Sequence, residues 1–111
     1  MKIRIPEKGD ILVCNLSPTL GHEQKGNRPM LVVSDSEFNI KSGLVLVCPI
    51  TNTERGYFFE VKFKTEKTRG IILAHQIKAI DYKARNAKIV DKVSHHVCQE
   101  AIEKIKIILE G

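Results

Sequence analysis

Apolar residues in this chain come in short runs separated by turn-forming clusters. Gly9-Asp10 is a turn signal, and ILVCNL (11–16) after it is a mostly apolar run of strand length. Ser17 to Asn27 is polar, with Pro18 and Gly21 breaking any continuation, so it reads as loop. MLVVS (30–34) predicts a second strand, β-branched and entered through Pro29. DSEFNIKSG (35–43) predicts a short helical turn closed by Gly43. LVLVCPI (44–50) is apolar on both faces and predicts a third, central strand.

TNTERGY (51–57) is a second polar loop. FFEVKFK (58–64) alternates, with Phe59, Val61 and Phe63 on one face and Glu60, Lys62 and Lys64 on the other. TEKTRG then reads as a hairpin connection into IILA (71–74), and AKIV (87–90) as a last short strand. Between them, 75–87 has mixed periodicity and predicts no single element. The end changes period. Ser94 is suited to cap a helix, and Val97, Ala101, Ile105 and Ile108 follow at helical spacing, joined by Cys98, Ile102 and Leu109, with Gly111 at the terminus.

Six or so short strands, too closely spaced for βαβ crossovers, predict a mainly β chain. The expected architecture is a small, strongly bent sheet or partly open barrel with a C-terminal α-helix. Its 111 residues suit a single domain over 1–111.

Composition adds exclusions. No apolar run reaches the roughly 20 residues needed to span a membrane, and MKIRIPEKGD lacks the apolar stretch of a signal peptide. A soluble, cytoplasmic protein is expected. The three cysteines, Cys14, Cys48 and Cys98, show no CxxC or Cys/His ligand spacing, so no metal site or disulfide framework is expected. Cys14 and Cys48 lie in apolar runs and read as core. The net charge of +5 favours a polyanionic partner, nucleic acid or an acidic protein segment.

Chemistry points to the two polar loops, because each abuts an apolar strand. Pro29 pushes Arg28 towards extended backbone, and Pro49 constrains the strand end before Thr51. If the second and third strands pair through 35–43, Arg28 and Thr51 lie at one end of the sheet. A guanidinium and a hydroxyl would then converge on a spot suited to a phosphate. The bland alternative is a solvated arginine and a turn-capping threonine. His95 and His96 read as a solvated helix start.

The run GDILVCNLSPTLGHEQKGNRPMLVVS followed by VCPIT, then GYFFEV and GIILAHQIKAID with KARNAKIV, resembles the MazF/PemK family of toxin endoribonucleases. The match covers essentially the whole chain, and Gly21 to Pro29 presents the motif G-[HS]-E-Q-x-G-x-R-P. The resemblance implies an SH3-like barrel and a homodimer that cuts single-stranded RNA without a metal or cofactor, leaving a 2′,3′-cyclic phosphate and a 5′-hydroxyl. It also implies a cognate antitoxin whose acidic, disordered tail blocks the RNA groove. The MazF branch's catalytic pair maps to Arg28 and Thr51. Of the residues the PemK branch uses, His22 is present, but Leu73 and His75 stand where an arginine and an aspartate are expected.

Cutting RNA in this way uses the 2′-hydroxyl as nucleophile. The protein must take a proton, stabilise phosphoryl charge and protonate the leaving oxygen. Arg28 fits the electrostatic role, since a guanidinium does not give up its proton. His22 and His75 both remain open as the proton-transfer group or as RNA contacts. Glu23 and Gln24 are expected to order the loop or touch bases, and Lys25, Asn27, Gln76 and Lys78 to bind RNA. Among Arg55, Lys62, Lys64, Lys67, Arg69, Lys83 and Arg85 the sequence cannot choose. The rival readings are a non-catalytic toxin of the same fold that binds DNA gyrase, as CcdB does, and a barrel-type RNA-binding module. The CcdB type lacks the GHEQ…RP loop. The module would show exposed stacking aromatics, whereas aromatics are only 5% here and several read as core-facing.

Overall fold

A computed structural model describes residues 4–15 and 27–111. Its strands are β1 (Asp10–Asn15), β2 (Asn27–Val32), β3 (Val45–Thr51), β4 (Glu60–Lys64), β5 (Arg69–Leu73), β6 (Lys78–Ile80) and β7 (Lys88–Lys92). Two helices, α1 (Ser36–Ser42) and α2 (His95–Glu110), and a 3-10 turn at Ala74–Gln76 complete the described elements. The strands form one antiparallel sheet in the order β4-β5-β3-β2-β1-β7, with β6 also on β3. The architecture is a mainly β half-barrel with a C-terminal helix.

β3 is central because both its faces are apolar and both its edges are used. It pairs with β2 on one edge and with β6 and then β5 on the other. Alternation sends side chains to two cores. Ile11, Leu31, Cys48, Ile50 and Ile72 pack with Cys98, Ala101 and Ile105 of α2. Leu12, Cys14, Met30, Val32, Val45 and Val47 pack with Ile80 and Tyr82 on the other face. The expected core cysteines are buried, and burial pushes the Cys48 thiol up to about 12.

Local signals act as their chemistry requires. Gly9 (φ +95°) makes the turn into β1, a backbone region that favours glycine. Asp35 caps α1 through the Glu37 N–H at 3.0 Å, and Gly43 (φ +75°) closes it. The Ser94 hydroxyl accepts the Val97 N–H at 3.3 Å to start α2. Wholly buried Asn39 of α1 donates to the Pro6 carbonyl at 2.8 Å, tying the crossover between β2 and β3 to the N-terminal segment.

Two expectations are corrected, and one segment left open is assigned. Arg28 and Pro29 belong to β2 rather than to the loop before it. The unassigned 75–87 segment contains part of the 3-10 turn, β6 and a tight turn that tertiary pairing holds against β3. The apolar stripe of α2 is not covered throughout: Ile108 is 41% and Leu109 77% exposed, because the helix outruns β4 and the 3-10 turn on which it packs. No described helix is long and apolar enough to cross a membrane.

Candidate active site

Position along β2 and β3 follows from the register. Val32 pairs with Val47, Leu31 with Cys48 and Met30 with Pro49. The Val33 N–H donates to the Leu46 carbonyl at 2.9 Å, which makes Leu31–Cys48 and then Pro29–Ile50 the next hydrogen-bonding sites of the ladder. Pro29 has no N–H to give, so the ladder stops there. Carried on to the two strand ends, the same register places Arg28 across from Thr51.

The pair also shares a face. Arg28 is in phase with Met30 and Val32, and Thr51 with Val47, all on the side of Tyr82 and Ile80. Lys78 pairs with Val47 and so lies on that face too. Arg28 pairs across β1 with Cys14. Burial raises the Cys14 thiol, and Arg85 and Lys78 partly offset that rise, so these two cations stand close to it. Positive charge therefore collects at this end of the face.

Thr51 opens into a cleft of about 450 Å³ that is also lined by Thr53, Arg55, Tyr57, His75 and Gln76. Its hydroxyl oxygen accepts the Thr53 N–H at 3.2 Å, which leaves the hydroxyl hydrogen to donate elsewhere. His75 is exposed on the 3-10 turn; its ring centre lies 3.9 Å from that of Phe59, and Gln76 Nε2 stands 3.3 Å from its Nε2. Glu60 organises the cleft's outer wall. Its Oε1 accepts the backbone N–H groups of Arg55 and Gly56 at 3.1 and 3.0 Å, while Oε2 is buried without a hydrogen-bond partner among the described residues.

A larger groove of about 750 Å³ lies beside the cleft. Residues of the 51–55 segment alternate between the two: Thr51, Thr53 and Arg55 line the cleft, Asn52 and Glu54 the groove. Lys62, Lys64 and Arg69 give the groove its charge, and Lys62 already pairs with Glu54 at 3.4 Å.

The structure thus brings Thr51, His75 and Gln76 together, with Arg28 and Lys78 on the same sheet face as Thr51. Asn27 pairs with Asn15 at the start of β2. His22, Glu23, Gln24 and Lys25 lie outside the described residues. His95 and His96 are exposed at the start of α2, as expected. Tyr57 was not singled out from the sequence, Arg55 was one of several cations left unranked, and Phe59 was placed with Val61 and Phe63. Several aromatics face the core as expected, Phe63 and Tyr82 being buried, whereas Tyr57 and Phe58 are 53% and 59% exposed. The consecutive Tyr57-Phe58-Phe59 after a polar loop was the available signal.

Comparison with known proteins agrees with this fold. Residues 7–109 match the profile of the PemK-like, MazF-like toxin of type II toxin-antitoxin system. The chain is 35% identical over 105 residues to the endoribonuclease toxin MazF of Escherichia coli K12, covering 95% of each chain. It is 36% identical over 110 residues to the endoribonuclease toxin ChpB of the same strain, covering 94% of each. The MazE-MazF crystal structure (Form-II) from Deinococcus radiodurans superposes with a TM-score of 0.88 at 32% identity, covering 97% of this chain and 98% of that one.

Proposed function

Because the chain belongs to the PemK-like, MazF-like family of type II toxin–antitoxin toxins, we propose that its Arg28–Thr51 pair cuts single-stranded RNA by attack of a 2′-hydroxyl on the adjacent phosphate. Like its relatives the chain is an endoribonuclease toxin, and its protein partner is a cognate antitoxin. The observation that supports the mechanism is the β2–β3 register, Val32–Val47 through Met30–Pro49, which carried two residues further brings Arg28 opposite Thr51.

In the reaction the 2′-oxygen loses its proton and bonds to phosphorus, the bond from phosphorus to the 5′-oxygen breaks, and that oxygen takes up a proton. The products are a 2′,3′-cyclic phosphate and a 5′-hydroxyl. The Arg28 guanidinium, always charged, stabilises the phosphoryl oxygens as negative charge grows on them. The Thr51 hydroxyl donates a further hydrogen bond to one of them. His75, at the mouth of the same cleft, is the described side chain suited to moving the proton. No metal is assigned a role. The cleft rather than the larger groove is the reacting site, since it alone gathers a hydroxyl, an imidazole and an amide. The groove's cations suit the path of a polyanion, RNA or an acidic segment of the antitoxin.

Purified protein incubated with long single-stranded RNA in excess EDTA tests this reading. Cut RNA with cyclic-phosphate and 5′-hydroxyl ends is the expected result. Intact RNA, cutting abolished by the chelator, or 5′-phosphate ends would overturn it.

A further inference from the structure

Three of the chain's aromatic side chains stand consecutively at 57–59, and they are built into a stack. Tyr57 and Phe59 have ring centres 5.0 Å apart at 30°, Phe58 meets Phe59 edge-on at 5.6 Å, and Phe59 meets His75 at 3.9 Å. Phe59 is half-buried and serves as the base of this stack, while Tyr57 and Phe58 keep more than half of their surface in solvent. Two large exposed rings that both rest on Phe59 are the kind of apolar surface that marks a binding site.

We infer that Tyr57 and Phe58, seated on Phe59, form a shelf on which one unpaired base of the RNA stacks beside the bond that is cut; the inference rests on the endoribonuclease reading. Position supports it first. Tyr57 and His75 line the cleft into which Thr51 opens, so a nucleotide held there has its phosphate near Thr51 and its base near Tyr57, with Phe58 outside the lining and joined to it through Phe59. The mounting is also firm. Glu60 Oε1 accepts the Arg55 and Gly56 N–H groups, and the Glu60 N–H donates to the Tyr57 carbonyl at 3.1 Å. Rings fixed in this way lose little entropy when a base settles on them.

The chemistry of the rim selects the occupant. Thr51, Arg55, His75 and Gln76 offer a hydroxyl, a cation, an imidazole and an amide around the rings. A nucleotide uses both features, stacking its base and presenting its phosphate to Thr51, with Arg55 free to meet a flanking phosphate. An apolar protein segment would instead leave those polar groups desolvated without partners. The shelf is therefore a specificity-determining element for the base next to the scissile phosphate.

The test separates stacking from cutting. A short single-stranded RNA with methylated 2′-hydroxyls, which cannot be cut, carries 2-aminopurine at each position in turn. Its fluorescence is followed as protein is added. Quenching on binding at one or two adjacent positions is expected, with loss of that quenching and about tenfold weaker binding in the Tyr57→Ala/Phe58→Ala double variant. Tyr57→Phe should retain both. Quenching at no position, or quenching unchanged in the double variant, would overturn the shelf even if RNA is still cut. A weakening that tracks a change in the protein's sedimentation would also overturn it, because the rings would then serve contact between copies. If RNA is never cut but the position-specific quenching is seen and lost as described, the shelf stands and the catalytic reading alone falls.

Discussion

Gly70 lies so close to Thr51 that a Cβ added to it would sit 3.0 Å from the Thr51 carbonyl oxygen and 2.7 Å from Ile50 Cγ2. This is the seam where β5 joins β3, through the pairs Ile50–Ile72 and Thr51–Ile71. The absence of a side chain at Gly70 is what lets β5 seat against the end of β3 and hold Thr51 in the cleft. Gly70→Ala should cost about 1–3 kcal/mol of stability through overpacking. RNA cutting should fall further than the remaining folded fraction explains. Thermal unfolding and cleavage rate measured together check this, and an unchanged melting temperature would show that the seam yields freely.

Arg28→Ala should lower kcat by about 10²- to 10³-fold, the usual loss on removing one preorganised donor to developing charge. Thr51→Val should lower it less. Since the two side chains serve one phosphate, the double variant should lose clearly less than the product of the single losses. Single-turnover cleavage of one RNA by the four proteins gives the cycle. Strict multiplication of the two effects would place the residues on separate tasks.

His75→Gln keeps a polar side chain of similar length but cannot exchange a proton. A fall in kcat of about 10²-fold, with one limb of the pH–rate profile flattened, is expected if the imidazole moves the proton. A rise in KM alone, with the profile intact, would instead make His75 an RNA contact.

The carboxyl of Asp91 tests the distal rim of the sheet. Burial by itself would raise its pKa, but hydrogen bonds from Thr65, Thr68 and the Lys92 N–H outweigh burial and hold it below 3.8. A depressed folded-state pKa means stabilisation that is complete above the unfolded value and is lost as pH falls through the folded one. Asp91→Asn should therefore be the less stable protein near neutral pH, by under about 1 kcal/mol at so open a site. The difference should shrink as pH drops below 3.8. A difference independent of pH would assign the effect to packing.

Much of the fold was legible because its signals are local. Ser94, Gly43 and the turn at Gly9-Asp10 act within a few residues of themselves, and the apolar run 44–50 marked β3 as central before any partner strand was known. The 75–87 segment was illegible for the opposite reason. Its short β6 has no period of its own and exists because Val45–Val47 of β3 offer it an edge to pair with. The alternation along 58–64 placed Val61 and Phe63 in the core correctly, but the strand starts only at Glu60, which leaves Phe58 in solvent.

For the site, the sequence by itself determined its chemical content: a guanidinium fixed beside Pro29, a hydroxyl after Pro49, and the motif that names the family. Only the tertiary structure decided that His75 and Thr51 line one cleft, that Lys78 shares the sheet face of Thr51, and that Tyr57 and Phe58 stay in solvent. Those relations join residues 20 or more positions apart, such as Thr51 and His75, through the register of β3 with β5 and β6. A register is set by the sum of packing on both faces of the sheet, and no short stretch of sequence contains that sum.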